Sequence, residues 1–192
     1  DDIADKEEKL REFIQEIQWL YYSGNHPNLM ELIGVILSPP SIVLPFCEYG
    51  SLFDNIQGKD KPFLNWYLRL RILIDISNGM NHLHSLDPPI IHCDLRSPNI
   101  LLMSMNYEDE IVGKVADYGL SQFSVGRFLV DSKLNPSASA PEVIESKDLS
   151  IKSDVYSFGS ILYEIITGII PYDPLINPEW KFQQNIANDV IK

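Results

Sequence analysis

The chain is poor in the residues that mark secreted, nucleic-acid-binding or membrane-spanning proteins. Its 192 residues include only two cysteines, Cys47 and Cys93, which form neither a disulfide framework nor a C-x-x-C metal pair. Its 15 lysines and arginines face 27 aspartates and glutamates, and the net charge of −12 argues against nucleic acid or an anionic membrane as the main partner. No apolar run approaches the roughly 18 residues that span a bilayer. We therefore expect a reduced, cytoplasmic setting.

The rest of the composition is ordinary for a globular chain. Hydrophobic residues make up 45% and charged residues 22%, and the length is sufficient to bury a substantial core. The chain begins at Asp1 without a methionine or a signal peptide, and a helical pattern continues to Lys192. We expect it to be a piece of a longer protein.

Two apolar runs each lead into a polar turn, and these turns hold the residues best suited to chemistry. The first run, I-I-H-C-D-L-R-S-P-N-I-L-L, places Asp94 and Asn99 five residues apart. The second, V-A-D-Y-G-L, places Asp117 before an aromatic residue and a glycine. Magnesium-assisted phosphoryl transfer needs such a set, because one carboxylate meets the accepting hydroxyl while amide and carboxylate oxygens bind Mg2+. Taken alone, however, an Asp-Tyr-Gly triplet is more often a turn than a metal site.

The order of the motifs resembles that of eukaryotic protein kinases. H-C-D-L-R-S-P-N is similar to the catalytic loop H-R-D-L-x-x-x-N, and D-Y-G is similar to D-F-G. Downstream, Ala140-Pro141-Glu142 resembles the A-P-E triplet, and K-S-D-V-Y-S-F-G at 152–159 resembles the start of the central helix of the kinase C-lobe. Each motif alone is weak, whereas their common order makes coincidence negligible.

The resemblance implies an α+β, two-lobe kinase fold with a mainly helical C-lobe, cut at both ends. Residues 1–46 would be a remnant of the N-lobe, with its C-helix and two strands but without the glycine-rich loop and the third-strand lysine. Residues 47–192 would be the hinge and part of the C-lobe, without the final helices. Among kinases, the motifs look closest to the Roco or leucine-rich-repeat serine/threonine kinases of the tyrosine-kinase-like group.

Hydrophobic periodicity predicts the elements that would carry these motifs. A helix is predicted over about residues 6–22, with apolar residues at helical spacing: Leu10, Phe13, Ile14, Ile17 and Leu20. Two strands are predicted over about residues 29–36 and 41–46. Long helical patterns follow over about residues 65–84 and 179–191.

The resemblance also implies a role for each residue of the catalytic centre. Asp94 would orient the substrate hydroxyl and accept its proton, and Arg96 would neutralise the charge of the moving phosphoryl group. Asn99 and Asp117 would hold Mg2+. Glu16, which by its sequence alone could equally be a solvated surface residue, would pair with the lysine of the third strand.

Four further residues would contact the adenine of ATP. Leu44 would be the gatekeeper and Leu101 the floor of the pocket. Pro45 replaces the usual glutamate, but it keeps the carbonyl that accepts a hydrogen bond from adenine and loses only the N–H. Cys47 would donate its backbone N–H, although its side chain by itself indicates only a buried apolar cysteine.

The expected function is therefore that of an ATP- and Mg2+-dependent kinase acting on a protein substrate in intracellular signalling. Serine or threonine is the favoured acceptor, while tyrosine remains an alternative because an arginine two residues after the catalytic aspartate also occurs in some tyrosine kinases. We expect the fragment alone to be inactive, because it lacks the loop that covers the phosphates. Regulatory domains would lie outside the fragment.

A pseudokinase that binds or scaffolds other proteins is the alternative from a different class. Cys93 in place of an arginine, Asn135, and the A-S-A-P-E stretch at 138–142 favour it. Retention of the catalytic and magnesium-binding residues, together with Glu16, favours the enzyme.

Overall fold

A computed structural model describes residues 2–58, 64–124, 137–146 and 149–171. Its elements follow one another as α1 (Asp2–Tyr22), β1 (Gly34–Leu37), β2 (Pro40–Val43), α2 (Leu52–Gln57), α3 (Trp66–His84), β3 (Ile90–Ile91), a 3-10 turn (Ser97–Asn99), β4 (Ile100–Leu102), β5 (Gly113–Val115), β6 (Gln122–Phe123), α4 (Pro141–Ser146) and α5 (Ile151–Thr167). The predicted helix over residues 179–191 and Asn135 lie outside these residues.

The first helix, α1, begins earlier than predicted and buries only part of the predicted apolar stripe. Leu20 is buried, and Phe13 and Ile17 are half-buried. Leu10 and Ile14, by contrast, are 49% and 46% exposed, so the apolar stripe is not buried along its whole length. The C-terminal half of α1 is therefore the part that packs against the rest of the chain.

The two strands predicted after α1 are shorter in the structure. They form an antiparallel hairpin in which Gly34 pairs with Val43 and Leu37 with Pro40. Residues 29–30 do not extend β1, because this segment hydrogen-bonds to β5 instead. The Met30 N–H donates to the Val115 carbonyl at 2.8 Å, and the Val115 N–H donates to the Asn28 carbonyl at 2.9 Å. The connection between α1 and β1 is thus attached to the strand that leads into Asp117.

The long helix α3 lies where the sequence predicted a helix, and it supports β5, the strand that leads into Asp117. Asn65 caps its start by accepting from the Leu68 N–H at 2.9 Å. The buried carboxylate of Asp75 accepts from the Val112 and Gly113 N–H groups at 2.8 and 2.9 Å, which anchors β5 on the helix. The buried apolar stripe of α3 consists of Leu68, Ile72, Ile76, Met80 and Leu83.

Candidate active site

The segment between β3 and β4 is shaped by buried apolar residues on either side of its polar ones. Ile91, Leu95 and Ile100 are each at most 1% exposed. The 3-10 turn at Ser97–Asn99 has a proline in its first turn, where the fixed backbone angle of proline favours a tight helical turn. The loop is held on both sides, so Asp94 and Arg96 occupy defined positions between the anchors.

The three predicted catalytic residues contact one another. The Asn99 Nδ2 donates to the backbone carbonyl and to Oδ2 of Asp94, both at 2.8 Å. The Arg96 Nε lies 3.2 Å from Oδ2 and 3.1 Å from Oδ1 of Asp94. The side chains of Asp94 and Arg96 are 13% and 34% exposed, so the pair reaches solvent while its geometry is fixed from within.

Asp117 stands on a strained turn beside this group. Its backbone φ is 65°, in the left-handed region. Among the described residues other than glycine, only Cys93, with φ 68°, also has a positive φ. Such a conformation costs an L-residue about 1–2 kcal/mol. The buried neighbours Ala116 and Tyr118 hold the turn, and the Ala116 N–H donates to the Asn99 carbonyl at 2.9 Å. Strain is therefore concentrated at the two turns that carry Asp94 and Asp117.

Glu16 of α1 is half-buried and lies within electrostatic range of Asp117. Burial raises the pKa of the Glu16 carboxyl, and the negative charge of Asp117 raises this pKa further. A cation bound nearby would favour the ionised form of the Glu16 carboxyl. The pairing of Glu16 with a third-strand lysine, which the resemblance implies, stays a prediction.

The donors present fit Mg2+ held jointly with a phosphate ligand. The Asn99 Nδ2 is directed at Asp94, so the Asn99 Oδ1 is turned away from that carboxylate. The exposed carboxylate of Asp117 accepts a long 3.3 Å hydrogen bond from the Gly119 N–H. The described residues contain no group of three or more His, Cys, Asp or Glu that could hold a metal alone. One or two oxygen ligands completed by phosphate oxygens are the usual setting for Mg2+ in phosphoryl transfer.

His92 is a structural residue of the loop. Its Nε2 bonds to the Ala116 carbonyl at 3.0 Å, and its Nδ1 accepts from the Asp94 N–H at 3.3 Å. The ring lies 5.7 Å from the ring of Tyr118, and both side chains are fully buried. Burial raises the pKa of the Tyr118 hydroxyl, which donates to the Val115 carbonyl at 3.3 Å. Both ring nitrogens of His92 are engaged, so the imidazole orients Asp94 rather than transferring protons.

The segment after β2 runs alongside β4. Leu44, Cys47 and Leu101 pack against the main core, and Pro45 is half-buried. The Leu102 N–H donates to the Gly50 carbonyl at 2.9 Å, and the Tyr49 N–H donates to the Leu102 carbonyl at 3.3 Å. These bonds place residues 44–50 beside Leu101.

The Cys47 thiol is sheltered in this segment. It lies 3.3 Å from the Met103 sulfur, and it points its S–H at the Pro45 carbonyl over 3.8 Å. Burial raises the pKa of the thiol, and the positive charge of Lys114 opposes that effect. The side chain is thus a neutral apolar contact, as its sequence setting indicated.

The order of the elements, the loop geometry and the sequence agree with one protein family. The sequence model described as protein tyrosine and serine/threonine kinase matches residues 2–189. The chain belongs to this family. Its kinase-like fold is seen here as helices with small two-stranded sheets.

Similar proteins include several probable serine/threonine-protein kinases. The chain is 42% identical over 170 residues to qkgA of Dictyostelium discoideum, covering 86% of this chain and 11% of that protein. It is 36% identical to roco8 of Dictyostelium discoideum, covering 95% and 10% of the two chains, and 36% identical to the serine/threonine-protein kinase CTR1 of Arabidopsis thaliana, covering 89% and 21%. The likeness to Roco kinases is confirmed, and the chain spans about a tenth of the length of the first two relatives.

The three predicted catalytic residues Asp94, Arg96 and Asn99 therefore lie in one group. The four predicted adenine contacts lie in the neighbouring segment and on β4. In the part of the chain that the structure describes, no helix combines the length and apolarity needed to cross a membrane.

Sequence reasoning missed Lys114, which is buried in β5. Its Nζ donates to the Leu29 carbonyl at 3.2 Å and lies 4.0 Å from a carboxylate oxygen of Glu31. The signal was available, because a lone lysine within the apolar run before Asp117 must find partners if the strand is buried. Lys114 joins the α1–β1 connection to the strand that carries the Asp-Tyr-Gly turn.

Two stacked histidines attach the same connection to α3. The rings of His26 and His82 lie 4.8 Å apart at 29°. The His26 Nδ1 accepts from the Asn28 N–H at 3.2 Å, and the His82 Nε2 lies 2.8 Å from the Ser23 carbonyl oxygen. Burial lowers the pKa of His26, and the nearby His82 and Lys114 lower it further.

We expect the stability of the chain to fall in mild acid because of this pair. The folded-state pKa of His26 lies below the unfolded value of about 6.5, so the unfolded chain binds more protons in that range. The stabilisation is complete above about pH 6.5 and is lost as the pH falls through the lower, folded-state pKa. Thermal melting between pH 8 and 5, followed by circular dichroism, should show a shallower acid decline in His26→Gln than in the unchanged chain. Identical pH profiles would contradict this assignment.

Proposed function

We propose that the chain is the catalytic part of an ATP- and Mg2+-dependent protein kinase that phosphorylates serine or threonine in protein substrates. The observation that carries the proposal is the contact group around Asp94. Asn99 and Arg96 both bind its carboxylate, and the Ala116 N–H ties Asn99 to the turn of Asp117. The names of the relatives support serine or threonine as the acceptor.

Asp94 is the group that accepts the proton of the substrate hydroxyl. Its carboxylate is oriented by the Asn99 amide at 2.8 Å, so its oxygens are held rather than free to rotate. The Arg96 guanidinium, one-third exposed, pairs with that carboxylate here and would neutralise the charge of the transferred phosphoryl group. Asn99 and Asp117 would hold Mg2+, which when bound supplies positive charge to the phosphates.

The remaining assignments follow the same proposal. We assign residues 1–46 to the N-lobe and residues 47–192 to the hinge and C-lobe, with Leu44, the Pro45 carbonyl, the Cys47 N–H and Leu101 around adenine. Glu16 would pair with a lysine, as the kinase family implies. The setting is cytoplasmic, the substrate is a protein, and regulatory domains belong to the full-length protein.

The pseudokinase alternative gains no support from the described residues. The Cys93 N–H donates to Asp154 at 3.1 Å, its thiol points at the Ile91 carbonyl at 3.5 Å, and burial raises the thiol pKa. Cys93 thus fills a structural place and leaves the contacts of Asp94 intact. Ala138 is also part of the fold, because its carbonyl accepts from the Ser157 hydroxyl at 2.7 Å.

Transfer of labelled phosphate from ATP by the full-length protein tests the proposal. We expect transfer to a generic protein acceptor in the presence of Mg2+, loss of transfer on chelation, and label on phosphoserine or phosphothreonine. Label on phosphotyrosine alone would contradict the acceptor assignment. Transfer no greater than that of an Asp94→Asn variant would contradict the enzymatic function.

A further inference from the structure

Three aromatic rings connect α1 to strand β6. The rings of Trp19 and Phe123 meet edge to face with centroids 4.7 Å apart. Tyr22 completes the group, with its centroid 5.7 Å from Phe123 and 6.3 Å from Trp19. These distances lie in the range in which aromatic pairs attract beyond simple burial. Residues 104 positions apart in the chain, at 19 and 123, are thereby held together.

The α1 side of this contact shares a face with Glu16. Residues three and four apart lie above one another on a helix, so Glu16, Trp19 and Leu20 project to one side of α1. Leu20 on this side is buried, and the Ser23 hydroxyl donates to its carbonyl at 3.1 Å. A shift of Trp19 would therefore move Glu16, one turn earlier, in the same direction.

The β6 side of the contact is fixed to the catalytic loop. Phe123 pairs with Ile90 and Gln122 with Ile91 in a short antiparallel ladder. The Ser124 N–H adds a hydrogen bond to the Pro89 carbonyl at 2.7 Å. Since β3 runs directly into His92 and Asp94, Phe123 moves with the catalytic loop.

Two features oppose a close approach of α1 to β6 and the Asp117 turn. An attractive contact between α1 and β6 must therefore offset them. Burial raises the pKa of the Glu16 carboxyl, and the like charge of Asp117 raises this pKa further. The Trp19 indole N–H, moreover, is buried without a hydrogen-bond partner within the described residues, which costs free energy. The ring contacts stabilise the arrangement in spite of both costs.

We propose that Trp19, Tyr22 and Phe123 form an aromatic clasp that positions Glu16 relative to the turn of Asp117. The clasp couples the C-terminal half of α1 to the strand that follows the Asp117–Gly119 turn, and its members are positioning residues. The consequence for activity rests on the proposed kinase function, whereas the coupling of α1 to β6 does not. A change at Phe123 should therefore be felt at Glu16 although the two belong to different elements.

Hydrogen exchange of the full-length protein tests the coupling without reference to activity. The decisive variant is Phe123→Leu, because it leaves α1 unchanged and keeps an apolar side chain in the place of the ring. We expect amides in the C-terminal half of α1 to exchange roughly three- to tenfold faster, while amides in α3 keep their rates. Phe123→Tyr retains the ring and should exchange as the unchanged protein does.

Trp19→Leu, alone and combined with Phe123→Leu, completes a double-mutant cycle. If the two rings act through each other, the double variant should exchange no faster than the faster single variant. Tyr21→Leu is the matched control on α1, since Tyr21 is 77% exposed and its ring contacts Tyr22 at the edge of the group, with centroids 6.1 Å apart. Unchanged α1 exchange in Phe123→Leu, or multiplied effects in the double variant, would overturn the clasp.

A kinetic measurement separates the clasp from the proposed function. In an active full-length protein, Phe123→Leu should raise the KM for ATP by roughly three- to tenfold, with a smaller change in kcat. If the exchange results hold but the unchanged protein transfers no phosphate, the clasp stands and the kinase proposal fails. If the protein is active but Phe123→Leu leaves the exchange rates of the α1 amides unchanged, the clasp is wrong and the kinase proposal stands.

Discussion

Replacing Asp117 with asparagine is expected to weaken binding of Mg-ATP by the full-length protein by roughly a hundredfold, equivalent to about 2.7 kcal/mol. The change removes the charged oxygen ligand proposed for Mg2+ and leaves a neutral amide. It should not disturb the turn itself. Asparagine tolerates the left-handed backbone as aspartate does, and the φ of 65° at this position therefore remains accessible. The loss can thus be attributed to the metal and not to misfolding.

Asp94→Asn is the matched comparison, because it makes the same chemical change on the neighbouring turn. We expect its affinity for Mg-ATP to stay within a fewfold of the unchanged protein, since Asp94 is proposed to meet the substrate hydroxyl and not the nucleotide. Turnover should fall by about 10²–10⁴-fold, the usual contribution of a positioned general base. Calorimetric titration of both variants with ATP in excess Mg2+ separates the two roles. Equal nucleotide affinity in the Asp117→Asn variant and the unchanged protein would contradict the metal assignment.

The contact among the three proposed catalytic residues could be predicted from sequence because its signal is local. Asp94, Arg96 and Asn99 lie within one turn between apolar anchors, and a tight loop of that length necessarily keeps them close. The long helix α3 was also predictable, since its buried stripe repeats from Leu68 to Leu83 and Asn65 marks its start. In both cases a short stretch of chain contains the whole physical cause.

The contacts that position α1 could not be predicted in this way. Trp19 and Phe123 meet across most of the chain, and nothing in either neighbourhood indicates the other. The segment around Met30 has the composition of a strand, yet it bonds to Val115 instead of extending the hairpin, because that partner is set by the tertiary fold. The exposure of Leu10 and Ile14 has the same origin. Periodicity defines a helix face but not how much of its length is covered.

The attachment of the catalytic loop to the central helix α5 depends on Asp154, which is 2% exposed. One carboxylate oxygen accepts from the His92 N–H at 2.9 Å and lies 2.8 Å from the His84 Nε2, while the other accepts from the Cys93 N–H at 3.1 Å. These bonds hold Cys93 in its left-handed conformation, with φ 68°. The acid also lies in the first turn of α5, where a negative charge is favourable.

We therefore expect Asp154→Ala to lower the free energy of unfolding by about 3–5 kcal/mol, because it removes the acceptor of two backbone N–H groups and the partner of one histidine nitrogen. For a chain of this size that corresponds to a fall in melting temperature of roughly 6–20 °C. Phosphate transfer should be lost as well, since Cys93 would relax from its strained backbone and carry Asp94 with it.

Asp154→Asn and His84→Gln show which of these bonds matters. The asparagine keeps one acceptor oxygen for a single backbone N–H, so its melting temperature should lie between those of Asp154→Ala and the unchanged chain. His84→Gln removes only the side-chain contact and leaves both bonds to the loop, so it should melt within a few degrees of the unchanged chain. If His84→Gln is as unstable as Asp154→Ala, the histidine contact and not the hold on His92 and Cys93 would be the source of the stability. If Asp154→Ala melts as the unchanged chain does, the catalytic loop is held in place by its apolar anchors alone.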